Sequence, residues 1–274
     1  MAYQHWTLDD IPWHTFDRAK VDADLVAVIK TAALVEYNAD DYTTYLCNVF
    51  RGDSKFQALA RDWAVEEVQH GAVLGRWAEM VDPSWSLESA FARFRTGFQI
   101  PINSIASIRG SRAGELIARC MVETGTSSYY TAIHDKTDEP VLKAICKRIA
   151  TDEFRHYGMF YIALKEYLEK DALSRFQRLK VALGRITESE DDELAYAYYA
   201  ANAGDDEVYD HQKCNRAYMR IAYGFYRPKH IDKGVAMIFK ACGFTPQTPA
   251  YTVVTRLAWW MIGKRAKRLA KLAA

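Results

Sequence analysis

Between residues 22 and 50, apolar or small side chains recur at Leu25, Ile29, Ala32, Ala39, Cys47 and Phe50. The steps are three or four residues or their sums, which marks one face of a long helix. Arg51, Gly52, Asp53 and Ser54 then read as a stop, a turn and a new N-cap. A second helix repeats Phe56, Ala60, Trp63, Leu74 and Trp77 and ends near Asp82 and Pro83. Residues 84–111 contain one short amphipathic piece, 87–98, followed by Pro101 and Gly110. That is long for a helix–helix turn and suits a crossover along a bundle. A third helix is predicted over about 112–134, and Thr137, Asp138, Glu139 and Pro140 break the chain with proline at a first helical turn. A fourth helix to about residue 170 repeats Leu142, Cys146, Ile149, Phe160, Ala163 and Tyr167. Beyond it the pattern stays helical over roughly 172–185, 190–203, 206–225 and 230–242, and no segment alternates with a β period. The pattern predicts an all-α protein: a four-helix bundle core over 20–170, a crossover connection, and additional helices over 172–274, all within one domain spanning 1–274.

Composition narrows the setting. Hydrophobic residues make up 50% of the 274 positions and charged residues 26%, a balance that folds rather than stays disordered. The net charge of +1 argues against a general nucleic-acid binder. Five scattered cysteines without a C-x-x-C pair fit buried thiols in a reducing compartment. The start, MAYQHWTLDD, has neither a basic region nor an apolar run, and the apolar run at 257–262 is too short to span a bilayer. A cytoplasmic protein is expected.

The apolar faces of the four helices have gaps, and acids and histidines fill them. Glu36 occupies the gap on the first helix, Glu67 and His70 on the second, Glu123 on the third, and Glu153 and His156 on the fourth. Glu and His three apart on a helix project from the same side. With fifteen Glu and seven His, about 0.4 Glu-x-x-His pairs are expected by chance, so two pairs alone decide little. Register decides more. The midpoint of Glu36 and Glu67 falls at 51.5 and that of Glu123 and Glu153 at 138, each inside a predicted turn. Antiparallel hairpins therefore hold each pair of carboxylates level. Glu36, Glu67 and His70 also recur 87, 86 and 86 residues later as Glu123, Glu153 and His156. Burying an unpaired carboxylate costs on the order of several kcal/mol, and Arg119 is the one cation visible near these faces. Two divalent ions balance four carboxylates, and carboxylate with imidazole suits iron or manganese. The six residues are therefore the predicted metal ligands.

At these residues the chain resembles the ferritin-like di-iron carboxylate superfamily, and within it the soluble acyl-carrier-protein desaturases. Glu66-Glu67-Val68-Gln69-His70-Gly71 is similar to that family's E-E-x-x-H-G, and Asp152-Glu153-Phe154-Arg155-His156 to its D-E-x-R-H. The resemblance spans about residues 20–170. It implies a ferritin-like bundle holding two iron ions, or one manganese and one iron, with O2 as co-substrate. Thr126 stands where the desaturases carry a threonine beside the cluster and is the predicted catalytic residue. Asp152 is the implied partner of His70, and pseudosymmetry then pairs Glu66 with His156. Asp40 is a further acid near the site, with a solvated face expected. The composition of Thr124, Gly125, Thr126, Ser127 and Ser128 suits a π-bulge, a space beside the metals, or close helix packing at Gly125. Tyr129, Tyr130, Tyr157 and Tyr161 read as core and network residues.

The implied activity is O2-dependent oxidation, by desaturation or hydroxylation, of an unactivated C–H bond in a fatty-acyl or similar hydrophobic substrate. Trp and Tyr residues along the bundle would line an apolar acyl channel or fill an ordinary core. Acyl carrier protein is a candidate carrier, a ferredoxin a candidate electron donor, and a homodimer a candidate assembly. The alternative is iron oxidation or peroxide reduction as in ferritins and rubrerythrins, although no rubredoxin-like cysteines are present. Glu207 with His211 reads as a surface pair, and His5, His14, His134 and His230 have no ligand-like company. Residues 251–274 hold six Lys and Arg and no acid, leaving the remainder at −5. With Trp259, Trp260, Met261, Ile262, Leu269 and Leu272 they form a basic amphipathic tail suited to an acidic carrier or to the inner face of a membrane, contacted through 256–274.

Overall fold

The computed structural model describes residues 5–188, 192–204 and 206–271, and the rest of the basic tail, 272–274 with Leu272, lies outside them. Among the described residues all regular structure is helical. Three 3₁₀ turns (Leu8–Asp10, Trp13–Thr15 and Arg18–Lys20) precede α1 (Ala23–Tyr37), α2 (Ala39–Val49), α3 (Ser54–Val81) and α4 (Leu87–Gly97). Then come α5 (Arg112–Lys136), α6 (Pro140–Asp171), α7 (Arg175–Glu188), α8 (Asp192–Asn202), α9 (His211–Phe225), α10 (Pro228–Cys242) and α11 (Pro249–Lys271). Helices α1 and α3 form one antiparallel pair, α5 and α6 a second, and α3 packs on α6 to join them. The extra helices cover this bundle: α8 lies on α1, α9 on α1 and α5, and α7 and α10 on α5.

The predicted punctuation is present. Gly52 takes φ +88°, and Asp53 caps α3 by accepting from Phe56 N at 2.9 Å. Glu139 caps α6, its carboxylate accepting from Val141 N at 3.2 Å and Leu142 N at 2.7 Å, with Pro140 in the first turn. That carboxylate is buried, and the amides together with Trp77 Nε1 at 2.8 Å satisfy it.

The helix expected over 22–50 is two helices. The break falls at Asn38, immediately after the α1 turn that carries Glu36. Asn38 N bonds to Val35 O at 3.3 Å in a tight turn before α2 resumes. Gly71 lies against this joint, where a Cβ would stand 2.6 Å from Tyr37 N and 2.8 Å from Ala33 O. The glycine of the E-E-x-x-H-G stretch thus lets α3 approach the α1 backbone closely.

Two apolar layers flank the level of the predicted ligands. One contains Leu25, Ile29, Leu74, Trp77, Ile133 and Ile145. The other contains Phe50, Phe56, Trp63, Ile117, Phe160 and Tyr167. Fully burying side chains of this size stabilises by about 1.5–3 kcal/mol each, which offsets the cost of the polar layer between them. No helix among the described residues is long and apolar enough to cross a membrane.

Helix α5 is regular through residues 124–128, without a π turn. Thr124 and Thr126 return their hydroxyls to Cys120 O and Val122 O, at 2.7 and 3.2 Å. Gly125 is exposed, with nothing near a would-be Cβ, so close packing there is not observed. The close approach to this stretch comes from Gly234 of α10, whose would-be Cβ lies 3.3 Å from Ser128 Oγ. Gly71→Ala should therefore lower stability by about 1–3 kcal/mol, a fall of several degrees in melting temperature. Gly125→Ala should raise it by about 0.5–1 kcal/mol. Thermal unfolding of both variants checks the contrast.

Candidate metal centre

Glu36, Glu67, His70, Glu123, Glu153 and His156 meet between the two apolar layers, all at 8% exposure or less. Glu36, Glu67, His70 and Glu153 each place one donor atom within 4.8 Å of the others, and so do Glu67, Glu123, Glu153 and His156. Glu67 and Glu153 belong to both groups. This overlap is what a pair of adjacent cations sharing two carboxylates would require.

Both imidazoles turn Nδ1 toward the carboxylates. His70 Nδ1 lies 3.2 Å from Glu153 Oε1, and His156 Nδ1 lies 2.9 Å from Glu67 Oε1. Glu67 Oε1, His70 Nδ1, Glu123 Oε2, Glu153 Oε1 and His156 Nδ1 are buried and make no well-formed hydrogen bond. Unmet buried polar atoms are costly, and here five of them converge on one place. A carboxylate and imidazole donor set of this kind fits iron or manganese.

Burial, then the charge of Glu67, raises Glu36 well above the usual carboxylate range. Burial and Glu153 do the same to Glu123. Burial also opposes charge on Glu67, but the close approach of Glu36, His156 and His70 outweighs it and holds Glu67 low. Burial disfavours charged imidazole as well, yet bonds to Glu66 and Glu67 push His156 up to about 10. His70 is raised against the same burial by Asp152, Glu153 and Glu67. Arg119 adds one fixed cation, donating to Glu123 Oε1 at 3.0 Å and stacking 4.7 Å from the Trp63 ring centroid.

The outer contacts match the expected pairing. His70 Nε2 lies 3.2 Å from Asp152 Oδ2, and His156 Nε2 lies 2.7 Å from Glu66 Oε2. Each outer carboxylate thus faces the nitrogen that Nδ1 leaves behind. Arg155 bonds both Glu66 and Asp152, which gives the arginine of the D-E-x-R-H stretch a clear task. Thr126 Oγ1 lies 2.5 Å from Glu153 Oε2. Asp40 is exposed, as expected.

Several contacts were not foreseen. His5, read as lacking company, lies with Nε2 3.0 Å from Asp152 Oδ2 and joins His70 and Asp152 in a third cluster. Trp6 Nε1 donates to the same oxygen at 2.6 Å, and its ring stacks on His70 at 6.0 Å and 8°. Gln69 holds this segment by donating to Trp6 O at 2.8 Å. Tyr130, read as a network residue, donates its hydroxyl to Glu36 Oε1 at 2.5 Å across the bundle, as expected. His230 is buried, with Nε2 2.8 Å from Asp135 Oδ2, outside the centre. Glu207 bonds Lys213, and His211 lies 3.7 Å from Asp192 Oδ1, so the expected Glu207–His211 pair is replaced by other surface contacts.

Two cavities lead to the centre. A small one of about 60 Å³ touches Glu36, Glu67, Glu123, Glu153, Thr126 and Val122. A larger one of about 380 Å³ shares Tyr42, Arg119, Val122, Arg185 and Glu193 with it. That volume falls within the roughly 300–1,000 Å³ typical of small-molecule sites. The wall is not the purely apolar channel expected. Tyr45, Leu46, Phe98 and Ile100 form one side, while Arg109, Arg119, Arg185 and Glu193 contribute charge. Tyr42 donates to Glu193 Oε2 at 2.6 Å where the two cavities meet.

Residues 17–221 match the model of a family described as fatty acid desaturase, so the likeness reaches beyond the motif-bearing hairpins into α7, α8 and α9. No curated protein matches the chain significantly. The family match covers both hairpins, all six buried acids and histidines, and about three quarters of the sequence, and the chain belongs to the fatty acid desaturase family.

Proposed function

We propose that this protein is a ferritin-like di-iron oxidase that desaturates a saturated fatty-acyl chain, with O2 as oxidant. The observation that carries the reading is the pair of overlapping four-residue groups sharing Glu67 and Glu153, whose unmet donor atoms face one another. Glu36 and His70 would hold one iron, Glu123 and His156 the other, and Glu67 and Glu153 both. Iron bound there supplies the redox power to activate O2 against an unactivated C–H bond, and carboxylates tolerate its changes of valence. Family membership supports an acyl substrate over the iron-storage or peroxide-reducing alternative.

The remaining work belongs to the chain's own residues. Asp152 and Glu66 hold each imidazole with Nε2 outward, so Nδ1 stays directed at the centre. Thr126 keeps a hydroxyl proton at Oγ1 beside Glu153 and faces the small cavity, where it can hand on or receive a proton. Trp6 stacks on His70 and His5 contacts Asp152, and neither lines the small cavity. Tyr45, Leu46, Phe98 and Ile100 offer an acyl chain an apolar wall, and Val122 stands where it would approach the centre. Acyl carrier protein is the proposed carrier and a ferredoxin the proposed electron source.

The direct test supplies iron-loaded protein with reduced ferredoxin and a saturated acyl-carrier-protein thioester. O2 uptake should depend on the acyl substrate and match the appearance of monounsaturated product by mass spectrometry. Iron oxidation at the same rate without acyl substrate, and no unsaturated product, would favour the iron-handling alternative.

A second prediction concerns the outer contacts. Asp152→Asn keeps the shape but removes the charge that faces His70 Nε2. Iron affinity should fall by about 10–100-fold, while Trp6→Phe, which leaves Asp152 in place, should weaken it less. Anaerobic Fe(II) titration followed by metal analysis gives the affinities, and unchanged binding in Asp152→Asn would count against this arrangement.

A further inference from the structure

Helix α11 is held to the molecule along one narrow stripe. Tyr251 is buried, and Thr255, Ala258, Ile262, Ala266 and Leu269 are half-buried, one side chain every three or four residues. Helices α9 and α10 lie against it. Tyr251 fixes the start of the helix by donating its hydroxyl to Asp232 Oδ1 at 2.7 Å. At 3.6 residues per turn, the opposite side presents Val253, Leu257, Trp260, Lys264, Lys267 and Lys271 in one line. Val254, Met261 and Arg268 flank that line on one side and Arg256 on the other.

The outward line is apolar in its first half and cationic in its second. Val253 is 64% exposed, Trp260 58% and Met261 56%, so packing within the chain does not account for them. Six of the residues in α11 are Lys or Arg, and none is Asp or Glu. The apolar half gains by leaving water, whereas the cations lose hydration unless anions meet them. A second copy of α11 answers poorly, because antiparallel pairing sets cations against apolar side chains and parallel pairing sets cations against cations. An anionic bilayer surface answers both halves at once. Its acyl boundary accepts Val, Leu, Met and Trp, and its headgroup phosphates accept Lys and Arg.

We infer that α11 docks the protein on an anionic phospholipid surface, with Val253, Leu257, Trp260 and Met261 at the acyl boundary and Lys264, Lys267, Arg268 and Lys271 among the phosphates. The helix lies on the bilayer and does not cross it. The inference stands whether or not the buried acids and histidines hold iron, because it uses none of them.

The test sediments the full-length protein with phosphatidylcholine vesicles and with vesicles that also contain phosphatidylglycerol. Binding should require phosphatidylglycerol and weaken as salt rises. Both K264Q/K267Q/R268Q and W260S/M261S should weaken it by roughly tenfold or more. Each should keep the parent melting temperature, since the positions are exposed. Failure of the parent protein to sediment, or equal binding by either variant, would overturn the inference. So would a dimer in light scattering that W260S/M261S dissociates. Binding to apo acyl carrier protein that K264Q/K267Q/R268Q abolishes, without vesicle binding, would assign the face to that protein instead.

Discussion

Four carboxylates buried at one level of a helical bundle repel one another, and each has been taken out of water. That constraint organises the molecule. The protein answers it in part by raising Glu36 and Glu123 above the usual carboxylate range, by the carboxylates that raise His70 and His156, and by the fixed cation of Arg119. This answer leaves donor atoms of Glu67, Glu123, Glu153 and both histidines without well-formed partners. Two divalent cations would satisfy those atoms together. The apolar layers above and below hold the acids in place, because the helices cannot turn them outward without exposing Trp77, Phe160 and their neighbours.

Around this layer, each motif residue has a physical task. Gly71 lets α3 meet α1 at the joint that follows Glu36. Glu66 and Asp152 orient the imidazoles, and Arg155 links those two carboxylates across the α3–α6 contact. The two hairpins are therefore joined both by shared ligand-type residues and by an outer layer of ion pairs. Val122, Tyr42 and Glu193 line both cavities, whereas Trp6 and His5 contact Asp152 and line neither.

Much of this was legible in the sequence because helical periodicity is local. The six acids and histidines stand out as polar gaps in apolar faces, and Gly52, Asp53, Glu139 and Pro140 fix the register of each hairpin. The break at Asn38 was hidden, since a single tight turn leaves the apolar period nearly intact, and the α3 glycine that packs against it, Gly71, stands 33 residues away in sequence. His5 and Trp6 were missed for a different reason. They reach Asp152 across 147 and 146 residues, and nothing in their own neighbourhood signals it. The charged wall of the larger cavity was likewise invisible, because Arg109, Arg185 and Glu193 come together only through the packing of α7 and α8. Of the readings open for residues 124–128, neither a π turn nor close packing at Gly125 occurs; the close contact is made by Gly234, and Thr126 lines the small cavity.

The most direct measurement is anomalous X-ray scattering at the iron edge from crystals of the iron-loaded protein. Two peaks are predicted, one beside Glu36 and His70, the other beside Glu123 and His156, with Glu67 and Glu153 touching both. A single peak, or none among these six side chains in fully folded protein, would contradict the account.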